Sequence, residues 1–357
     1  MKKEARHTTL YRIYRPQTFA EVRGQPQVTD VLAKAVKNKK IGHAYLFSGG
    51  RGTGKTSVAR ILARELGVTD KDLYEIDAAS NTGVDNIREL REGVNTVPFE
   101  SPYKFYIIDE AHMLSRAAWN AFLKTLEEPP AHVLFVMATT ELEKIPDTIQ
   151  SRCEVYTFKQ PTRAMLAETV VDIAKKEGYS LERSAAELVA LLAEGSFRDA
   201  LSILQKVLSI SSNPSTGLRA GKKIEVAEVE EVSGAPRGEI VRQLLSAIAK
   251  RDSAVGLSVI GKTVESNVDA RTLAKLLIHR LRMVLLLRYA PDLAKSFAQE
   301  LTEADLVLAQ SLSKEPGINS ETLKTLLEAY SQMAYAAVPH LPLELALIDI
   351  CNTPAAK

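Results

Sequence analysis

The chain has 357 residues, of which 45% are hydrophobic and 25% are charged, and its formal net charge is +2. This length favours two or three domains, and the balanced charge argues neither for nor against nucleic acid, so any DNA site must be a local patch. The only two cysteines, Cys153 and Cys351, exclude a disulfide framework and a four-ligand zinc site.

The N-terminus and the apolar stretches indicate a cytoplasmic protein. The N-terminus is polar and lacks the apolar core of a signal peptide. The most apolar long stretch, 273–287, is interrupted by Lys275, His279, Arg280 and Arg282. It is too polar and too short for a membrane span, so we expect a buried amphipathic helix there and no membrane contact.

The first part of the chain alternates short apolar runs with helical patterns. An irregular segment, 8–27, precedes a helical pattern over 28–36. Further helices are predicted to begin at Lys55 and to span 84–94 and 119–126. Strands are predicted at 44–47, 73–77, 103–108, 133–138 and 155–158. This alternation predicts a parallel sheet that is covered by helices on both faces.

From Pro161 onward the pattern is helical, and no further strand is expected. A loop rich in Ser, Asn, Pro and Gly, 211–223, and a linker, 234–236, interrupt the helices. The predicted helices are 165–176, 184–193, 198–210, 226–232, 237–250, 253–265, 268–289, 292–312, 319–338 and 341–351. The second part of the chain is therefore predicted to be all helical.

A glycine-rich turn follows the first predicted strand. Four residues separate Gly49 from Gly54-Lys55-Thr56, which is the Walker A spacing. Glycines let backbone N–H groups converge on phosphate oxygens, and the following helix N-terminus adds positive potential. Lys55 is predicted to reach the β- and γ-phosphates of ATP, and the Thr56 hydroxyl to hold Mg²⁺. The predicted phosphate-binding residues are Gly49, Gly50, Gly52, Thr53, Gly54, Lys55, Thr56 and Ser57. The alternative, a turn that binds nothing, is disfavoured by the strand–helix context.

Polar residues follow two of the buried strands. Asp109 and Glu110 come after 103–108, where a P-loop ATPase has an aspartate that orders Mg²⁺ and a glutamate that polarises the attacking water. The alternative is a helix N-cap pair. Thr139 and Thr140 end the next strand and are predicted to face the γ-phosphate, because ligands bind at the carboxyl ends of parallel strands.

Seven motifs together resemble the gamma/tau subunits of bacterial DNA polymerase III, the ATPase motors of the sliding-clamp loader. The resemblance covers about 1–210 with specific motifs and is looser beyond, where LPLELAL (341–347) is similar to the last collar helix. The seven motifs are YRPQTF (14–19), the P-loop, IDAAS (76–80), DEAHML (109–114), LKTLEEPP (123–130), SRC (151–153) and GSFRDA (195–200).

The resemblance implies an AAA+ module with a parallel five-stranded P-loop domain, 1–161, an all-α lid, 162–233, and an all-α collar, 234–357, that oligomerises. It also assigns roles to residues that chemistry alone leaves ambiguous. Thr140 would be sensor 1, Arg152 the arginine finger that reaches the ATP of a neighbouring subunit, and Arg198 sensor 2. Without that context, either arginine could be a solvated residue or the partner of a carboxylate. The residues implied to enclose the adenine are Tyr11, Arg15, Pro16, Val22 and Phe197.

The same resemblance implies ATP and Mg²⁺ as cofactors. Many family members carry a four-cysteine zinc module where this chain has only 67–72, without cysteine, so no zinc is expected. The implied partners are the other clamp-loader subunits in a hetero-oligomeric ring, expected to be a pentamer, the sliding clamp and primer–template DNA. Helicase and polymerase would be partners only of a chain that has the longer family tail. The residues implied to contact DNA phosphates are Arg88, Arg116, Lys124 and Lys144, and each could instead be a solvated charge.

Two other functions are compatible with part of the pattern. One is a different AAA+ DNA-processing ATPase, such as an archaeal or eukaryotic-type small clamp-loader subunit or a recombination-associated motor; the motifs 109–112 and 123–130 favour the bacterial form. The other is a non-catalytic structural subunit of the loader, which typically has a degraded P-loop. The chain has no further acidic cluster for two-metal nucleotidyl transfer, so polymerase activity would come only from the holoenzyme.

Overall fold

The computed structural model describes residues 9–80, 90, 92–211, 223–266, 268–292 and 301–352. The chain forms two compact units. The first comprises Met1–Leu166 and Ala193–Ser202, and the second comprises Ala167–Leu192 and Ile203–Lys357. No helix within the described ranges is both long enough and apolar enough to cross a lipid bilayer.

The first unit is built on a five-stranded parallel sheet. Its strands are β1 (Ala44–Ser48), β2 (Leu73–Asp77), β3 (Lys104–Asp109), β4 (Val133–Thr139) and β5 (Glu154–Thr157). Their order across the sheet is β2-β3-β4-β1-β5, and every neighbouring pair is parallel. The predicted parallel sheet is confirmed. All five carboxyl ends lie on one edge of the sheet, so the loops after β1, β3 and β4 share that edge.

Each strand sends alternate side chains to opposite faces of the sheet. Leu46 joins a buried cluster with Phe122 of the helix Arg116–Glu127. Tyr45 joins the cluster on the opposite face with Leu62 of the helix Lys55–Glu65. Because the three central strands, β1, β3 and β4, are covered on both faces, they read as nearly continuous apolar runs in the sequence, whereas the outer strands β2 and β5 are partly exposed.

Several further helices lie wholly within the first unit, and two more lie partly in it. The α-helices are Leu10–Ile13, Pro26–Lys37, Lys55–Glu65, Arg116–Glu127 and Asp147–Gln150, and the 3₁₀ helices are Phe19–Glu21, Ala111–Met113 and Leu142–Lys144. The helices Arg163–Lys176 and Phe197–Ser211 continue into the second unit. Most of the predicted helix 84–94 lies outside the described residues.

The second unit is mainly helical. Its remaining helices are Arg183–Leu192, Val226–Ser233, Gly238–Lys250, Ser253–Glu265, Ala270–Tyr289, Glu303–Leu312, Ser320–Gln332 and Leu341–Asn352. The expectation that strands stop at Pro161 was wrong in one place. Ser180–Leu181 and Lys223–Ile224 form a short parallel pair, which satisfies backbone groups beside the helix Arg183–Leu192.

Two predicted helices also differ from the structure. The helix expected over 292–312 is interrupted at Leu301 and Thr302, and a helix begins at Glu303, because Thr302 is extended and its side chain accepts a hydrogen bond from the backbone N–H of Asp305. Residues 293–300 of that prediction lie outside the described residues. The helix expected over 319–338 ends at Gln332. Apolar spacing continues across both interruptions, so hydrophobic periodicity alone did not reveal them.

Buried charge also organises the second unit. The carboxylate of Asp305 lies 2.8 Å from Nη2 of Arg280 and 3.1 Å from Nη1 of Arg242. Nearby, the guanidinium of Arg288 donates to the backbone carbonyls of Leu312, Ser313, Glu315 and Ile318. These carbonyls lie at and beyond the end of the helix Glu303–Leu312, where intrahelical donors are no longer available.

In the first unit, the buried carboxylate of Asp72 holds the loop that precedes β3. It accepts hydrogen bonds from the backbone N–H groups of Phe99, Glu100 and Ser101 at 2.6, 2.9 and 2.8 Å. Burial acts to raise the pKa of Asp72, but these donors outweigh burial and lower the pKa to about 2. The ionised carboxylate therefore stabilises the fold.

We expect Asp72→Asn to lower the free energy of unfolding by about 2 kcal/mol at pH 7, because an amide cannot accept all three hydrogen bonds. The folded pKa lies below the unfolded value of about 4, so the stabilisation is complete above pH 4 and is lost as the pH falls towards 2. Urea unfolding of both proteins from pH 7 to pH 2 measures this. A stability difference that stays constant over that range would contradict the role of the charge.

Candidate nucleotide-binding site

The predicted phosphate loop lies at the carboxyl end of β1, between β4 and β5. Gly49, Gly52 and Gly54 have positive φ angles of 147°, 70° and 106°, a backbone region that favours glycine. The helix Lys55–Glu65 begins directly after Gly54, so its first N–H groups face the loop. The loop therefore has the conformation that a phosphate site requires.

Lys55 lies inside this loop and is only 5% exposed. Its Nζ donates to the carbonyl oxygens of Gly49 and Gly50 at 2.6 and 2.9 Å. Burial lowers the pKa of Lys55, the carboxylates of Glu110 and Asp109 raise it, and the charge of Arg198 lowers it. The ammonium is thus held at the centre of the loop by acceptors that a phosphate group could replace.

Thr56 and Asp109 meet beside Lys55. The Thr56 hydroxyl donates to Oδ2 of Asp109 at 2.9 Å. A hydroxyl and a carboxylate are oxygen ligands of the kind that Mg²⁺ uses together with substrate phosphates, rather than in an all-protein cage. These two residues therefore fit Mg²⁺ chemistry, and no cluster of three or more His, Cys, Asp or Glu suited to a metal occurs in the described part of the chain.

Glu110 and Thr140 are the next pair along this edge. The Thr140 hydroxyl donates to Oε2 of Glu110 at 3.1 Å. Glu110 has a left-handed backbone with φ of 48°, which costs about 1 kcal/mol or more for a non-glycine residue. The structure thus brings the two predicted residues together, with the Glu110 carboxylate bound by the hydroxyl at the end of β4.

The segment with Arg198 adjoins the loop within the same unit. The backbone N–H of Phe197 donates to the carbonyl of Gly52 at 3.1 Å. A Cβ added to Gly52 would lie 2.0 Å from Oγ of Ser196, so only glycine permits this approach. The guanidinium of Arg198 lies 5.7 Å from the ring centroid of Tyr11, within cation–π range.

Positive charge accumulates around the loop. Burial lowers the pKa of Arg15, the charge of Arg60 lowers it further, Glu75 raises it, and Arg198 lowers it again. Arg198 also acts on Lys55 in the same direction. Cations that repel one another in this way are stabilised by a polyanion. Tyr11, Arg15, Pro16 and Val22 are half-buried; their contact with adenine, and that of Phe197, stays a prediction.

Arg152 lies at the amino ends of the strands, on the opposite edge of the sheet from the phosphate loop. It precedes β5, whereas the phosphate loop follows β1, and these two strands are parallel neighbours. The four-residue strand β5 spans about 13 Å, which separates Arg152 from the loop of its own chain. Its guanidinium instead donates to Oε1 of Glu127 at 2.6 Å and to the carbonyl of Thr148 at 2.7 Å.

Contacts within this chain do not test whether the predicted residues bind DNA, so these residues stay a prediction. Arg116 and Lys124 are exposed on the helix Arg116–Glu127. Lys144 is exposed and pairs with Glu141, Nζ to Oε2, at 2.7 Å. Arg88 lies outside the described residues.

Several residues that support the site were missed in the sequence. Gln25 is fully buried, and its amide donates to the carbonyl of Lys159 at 2.7 Å and accepts from the N–H of the same residue at 3.0 Å. His112 contacts the side chain of Thr139 at the end of β4. Ser196 and Glu127 belong to the motifs GSFRDA and LKTLEEPP. Nothing in the spacing of these motifs indicated that Ser196 lies against Gly52 or that Glu127 pairs with Arg152.

The strand order, the phosphate loop and the polar residues at the carboxyl edge define an AAA+ P-loop module. The RuvB Holliday junction branch migration motor of Thermotoga maritima has this fold, with a TM-score of 0.52 and 21% identity over 66% of this chain and 79% of that chain. At 21% sequence identity, this similarity shows only that the two proteins share a fold.

Sequence comparisons identify the family. Residues 24–79 and 68–162 match the family model for DNA polymerase III, delta subunit, and residues 166–213 match that for the DNA polymerase III clamp loader subunit, ATPase lid domain. The DNA polymerase III subunit tau of Bacillus subtilis is 36% identical over 97% of this chain and 64% of that protein. The gamma/tau subunit of Mycobacterium tuberculosis H37Rv is 37% identical over 94% of this chain and 61% of that protein.

The chain belongs to the family of DNA polymerase III gamma/tau subunits of the clamp loader, which confirms the resemblance drawn from the seven motifs. The tau subunit of Escherichia coli K12 is a more distant relative, 32% identical over 96% of this chain and 55% of that protein. The chain therefore spans between 55% and 64% of the length of these three relatives.

Proposed function

We propose that the chain is the ATP-hydrolysing motor of a sliding-clamp loader, acting in the cytoplasm during chromosomal DNA replication. In this function it binds ATP, opens the ring-shaped clamp with its partner subunits, recognises a primer–template junction, and hydrolyses ATP to release the closed clamp. DNA synthesis itself belongs to the DNA polymerase III holoenzyme with which the loader associates. Family membership and the intact P-loop with its acidic pair support the proposal.

The observation that carries the proposal is the separation of the catalytic groups between the two edges of the sheet. Lys55, Asp109 and Glu110 lie at the carboxyl edge, and Arg152 precedes β5 at the amino edge. A finger at the opposite edge from its own phosphate loop serves a neighbouring subunit, which makes hydrolysis depend on assembly. Family membership supports a hetero-oligomeric ring, expected to be a pentamer, as the assembly in which this finger would act.

The residues of the site divide the work of hydrolysis. Lys55 and the loop N–H groups bind the β- and γ-phosphates, and Glu110 accepts a hydrogen bond from the attacking water and polarises it. Thr140 orients Glu110, and Arg198 neutralises charge on the γ-phosphate. Thr56 and Asp109 would hold Mg²⁺, which when bound neutralises charge on the phosphates. No part of this scheme uses zinc.

The domain division forms part of the same proposal. We assign 1–161 to the ATPase domain, 162–233 to the lid and 234–357 to an oligomerising collar. The match of 166–213 to a clamp-loader lid model supports the second assignment. Arg88, Arg116, Lys124 and Lys144 are proposed to meet the phosphates of primer–template DNA.

The competing function is that of a non-catalytic structural subunit. It remains open because residues 24–79 and 68–162 match the family model for the delta subunit. Steady-state ATP hydrolysis distinguishes the two. We expect slow hydrolysis by the chain alone and stimulation of about a thousandfold when the loader partners, the clamp and primed DNA are added, because the finger comes from a neighbour. No hydrolysis in the assembled loader would support the structural role, and fast hydrolysis by the lone chain, indifferent to clamp and DNA, would contradict clamp loading.

A further inference from the structure

His112 is a buried histidine whose two ring nitrogens both contact side chains. Its side chain is 7% exposed. Nδ1 lies 3.0 Å from Oγ1 of Thr139 and 3.5 Å from Oε2 of Glu110. Nε2 lies 3.2 Å from Oε1 of Glu141. The imidazole therefore stands between the carboxylate proposed to polarise water and a second carboxylate that the proposed mechanism does not use.

Glu141 connects this buried ring to the protein surface. Its Oε1 faces His112, and its Oε2 lies 2.7 Å from Nζ of Lys144, whose side chain is 57% exposed. Hydrogen bonding to Lys144 lowers the pKa of Glu141 against a smaller opposing effect of burial. A single carboxylate is thus shared between an exposed cation and a buried histidine.

The structure shows Glu141 shared between Lys144 and His112, and loss of Lys144 as a partner would change that sharing. With Lys144 paired, the charge of Glu141 is divided between the ammonium and the imidazole. When a phosphate anion takes the ammonium, the carboxylate is left with His112 as its partner and binds the Nε2 side of the ring more strongly. The ring then moves away from Glu110, where its Nδ1 contact is already long at 3.5 Å.

The consequence for Glu110 concerns the side chains that face its carboxylate. Its Oε2 faces two side chains, the hydroxyl of Thr140 at 3.1 Å and Nδ1 of His112 at 3.5 Å. Withdrawal of His112 removes one of them. The carboxylate then has more freedom to accept a hydrogen bond from water, which is what a general base requires.

We infer that Glu141 couples the binding of a nucleic-acid phosphate at Lys144 to the position of Glu110, so that bound DNA accelerates hydrolysis. The inference rests on the proposed function, because it takes Glu110 as the base and Lys144 as a DNA contact. Glu141 and His112 are positioning residues here. The chain from Lys144 to Glu110 runs through three contacts of 3.5 Å or less.

The test uses Glu141→Gln in the assembled loader with the clamp. The amide keeps the shape of the side chain but removes the charge that His112 and Lys144 share. ATP hydrolysis is measured with and without primed DNA at saturating ATP, and DNA affinity is measured on the same assemblies by fluorescence anisotropy. The matched control is Glu143→Gln, an exposed carboxylate in the same 3₁₀ helix, Leu142–Lys144.

We expect Glu141→Gln to reduce the stimulation by primed DNA by about fivefold or more. It should bind DNA at least as tightly as the unaltered chain, because Lys144 has lost its carboxylate partner. Glu143→Gln should keep the full stimulation. In a Lys144→Ala background, Glu141→Gln should change the stimulation no further, since both residues act through one contact.

Two outcomes would overturn the coupling alone: full stimulation of Glu141→Gln, or a loss of stimulation that a loss of DNA affinity explains. If primed DNA fails to stimulate even the unaltered chain in the assembled loader, the proposed function fails as well. That failure is visible before any variant is compared, so the two are distinguishable.

Discussion

Lys55→Ala is expected to weaken ATP binding by about a hundredfold and to reduce hydrolysis by the assembled loader to background. The buried ammonium donates to Gly49 and Gly50 within the loop, and on ATP binding it would exchange these carbonyls for phosphate oxygens. Loss of a charge-assisted contact of about 3 kcal/mol corresponds to a hundredfold in affinity. Titration with a fluorescent ATP analogue and a steady-state assay measure the two effects.

Lys37→Ala serves as the control for this prediction, because Lys37 is an exposed lysine at the end of the helix Pro26–Lys37. It should bind and hydrolyse ATP like the unaltered chain. Thermal unfolding without nucleotide shows whether Lys55→Ala remains folded. A folded Lys55→Ala protein that binds ATP with unchanged affinity would contradict the assignment of the loop as the phosphate site.

Arg152→Ala is expected to slow ATP hydrolysis in the assembled loader by about a thousandfold, since an arginine finger contributes between about 10³ and 10⁵ in rate. ATP binding by the lone chain should be unchanged, because Arg152 and the phosphate loop lie at opposite edges of the sheet. Arg152 is partly exposed in its pair with Glu127, so the lost pair should cost at most about 1 kcal/mol of stability. Single-turnover hydrolysis and equilibrium ATP binding separate these effects.

Arg152→Lys is the informative companion variant. Lysine keeps the charge but lacks the planar fork of donors, so it should restore only part of the rate. Mixing Arg152→Ala chains with Lys55→Ala chains in one ring tests whether the finger acts on a neighbouring subunit. The Lys55→Ala chain supplies an intact Arg152, and the Arg152→Ala chain supplies an intact phosphate loop. Weakened ATP binding in the lone Arg152→Ala chain would show that the arginine acts within its own subunit.

The sequence predicted the parts of the site that are local in the chain. The phosphate loop is one continuous segment, and its glycines and the helix after them specify its conformation without help from distant residues. Asp109 and Glu110 were found because they directly follow a buried strand, and Thr140 because it follows the next one. Parallel strands bring such positions to one edge, so the meeting of Thr56 with Asp109 was foreseeable.

Other features followed from capping and pairing that hydrophobic spacing does not record. One continuous helix was predicted over 292–312 because apolar residues continue through the Thr302 cap, after which the helix Glu303–Leu312 begins. The short strands Ser180–Leu181 and Lys223–Ile224 pair although about forty residues, including the helix Arg183–Leu192, separate them in the sequence. Two-residue strands carry no periodic signal, so only the paired backbone reveals them.

By itself, the amino-acid sequence determined that this chain has a phosphate loop, an acidic pair and a strand–helix alternation, and its motifs pointed to the clamp-loader family. Only the tertiary structure showed that Arg152 pairs with Glu127, that Ser196 lies against Gly52, and that Glu141 contacts both His112 and Lys144. The physical reason is the strand order. Because β1 lies between β4 and β5, residues far apart in the chain become neighbours, and their contacts depend on a packing that no local pattern encodes.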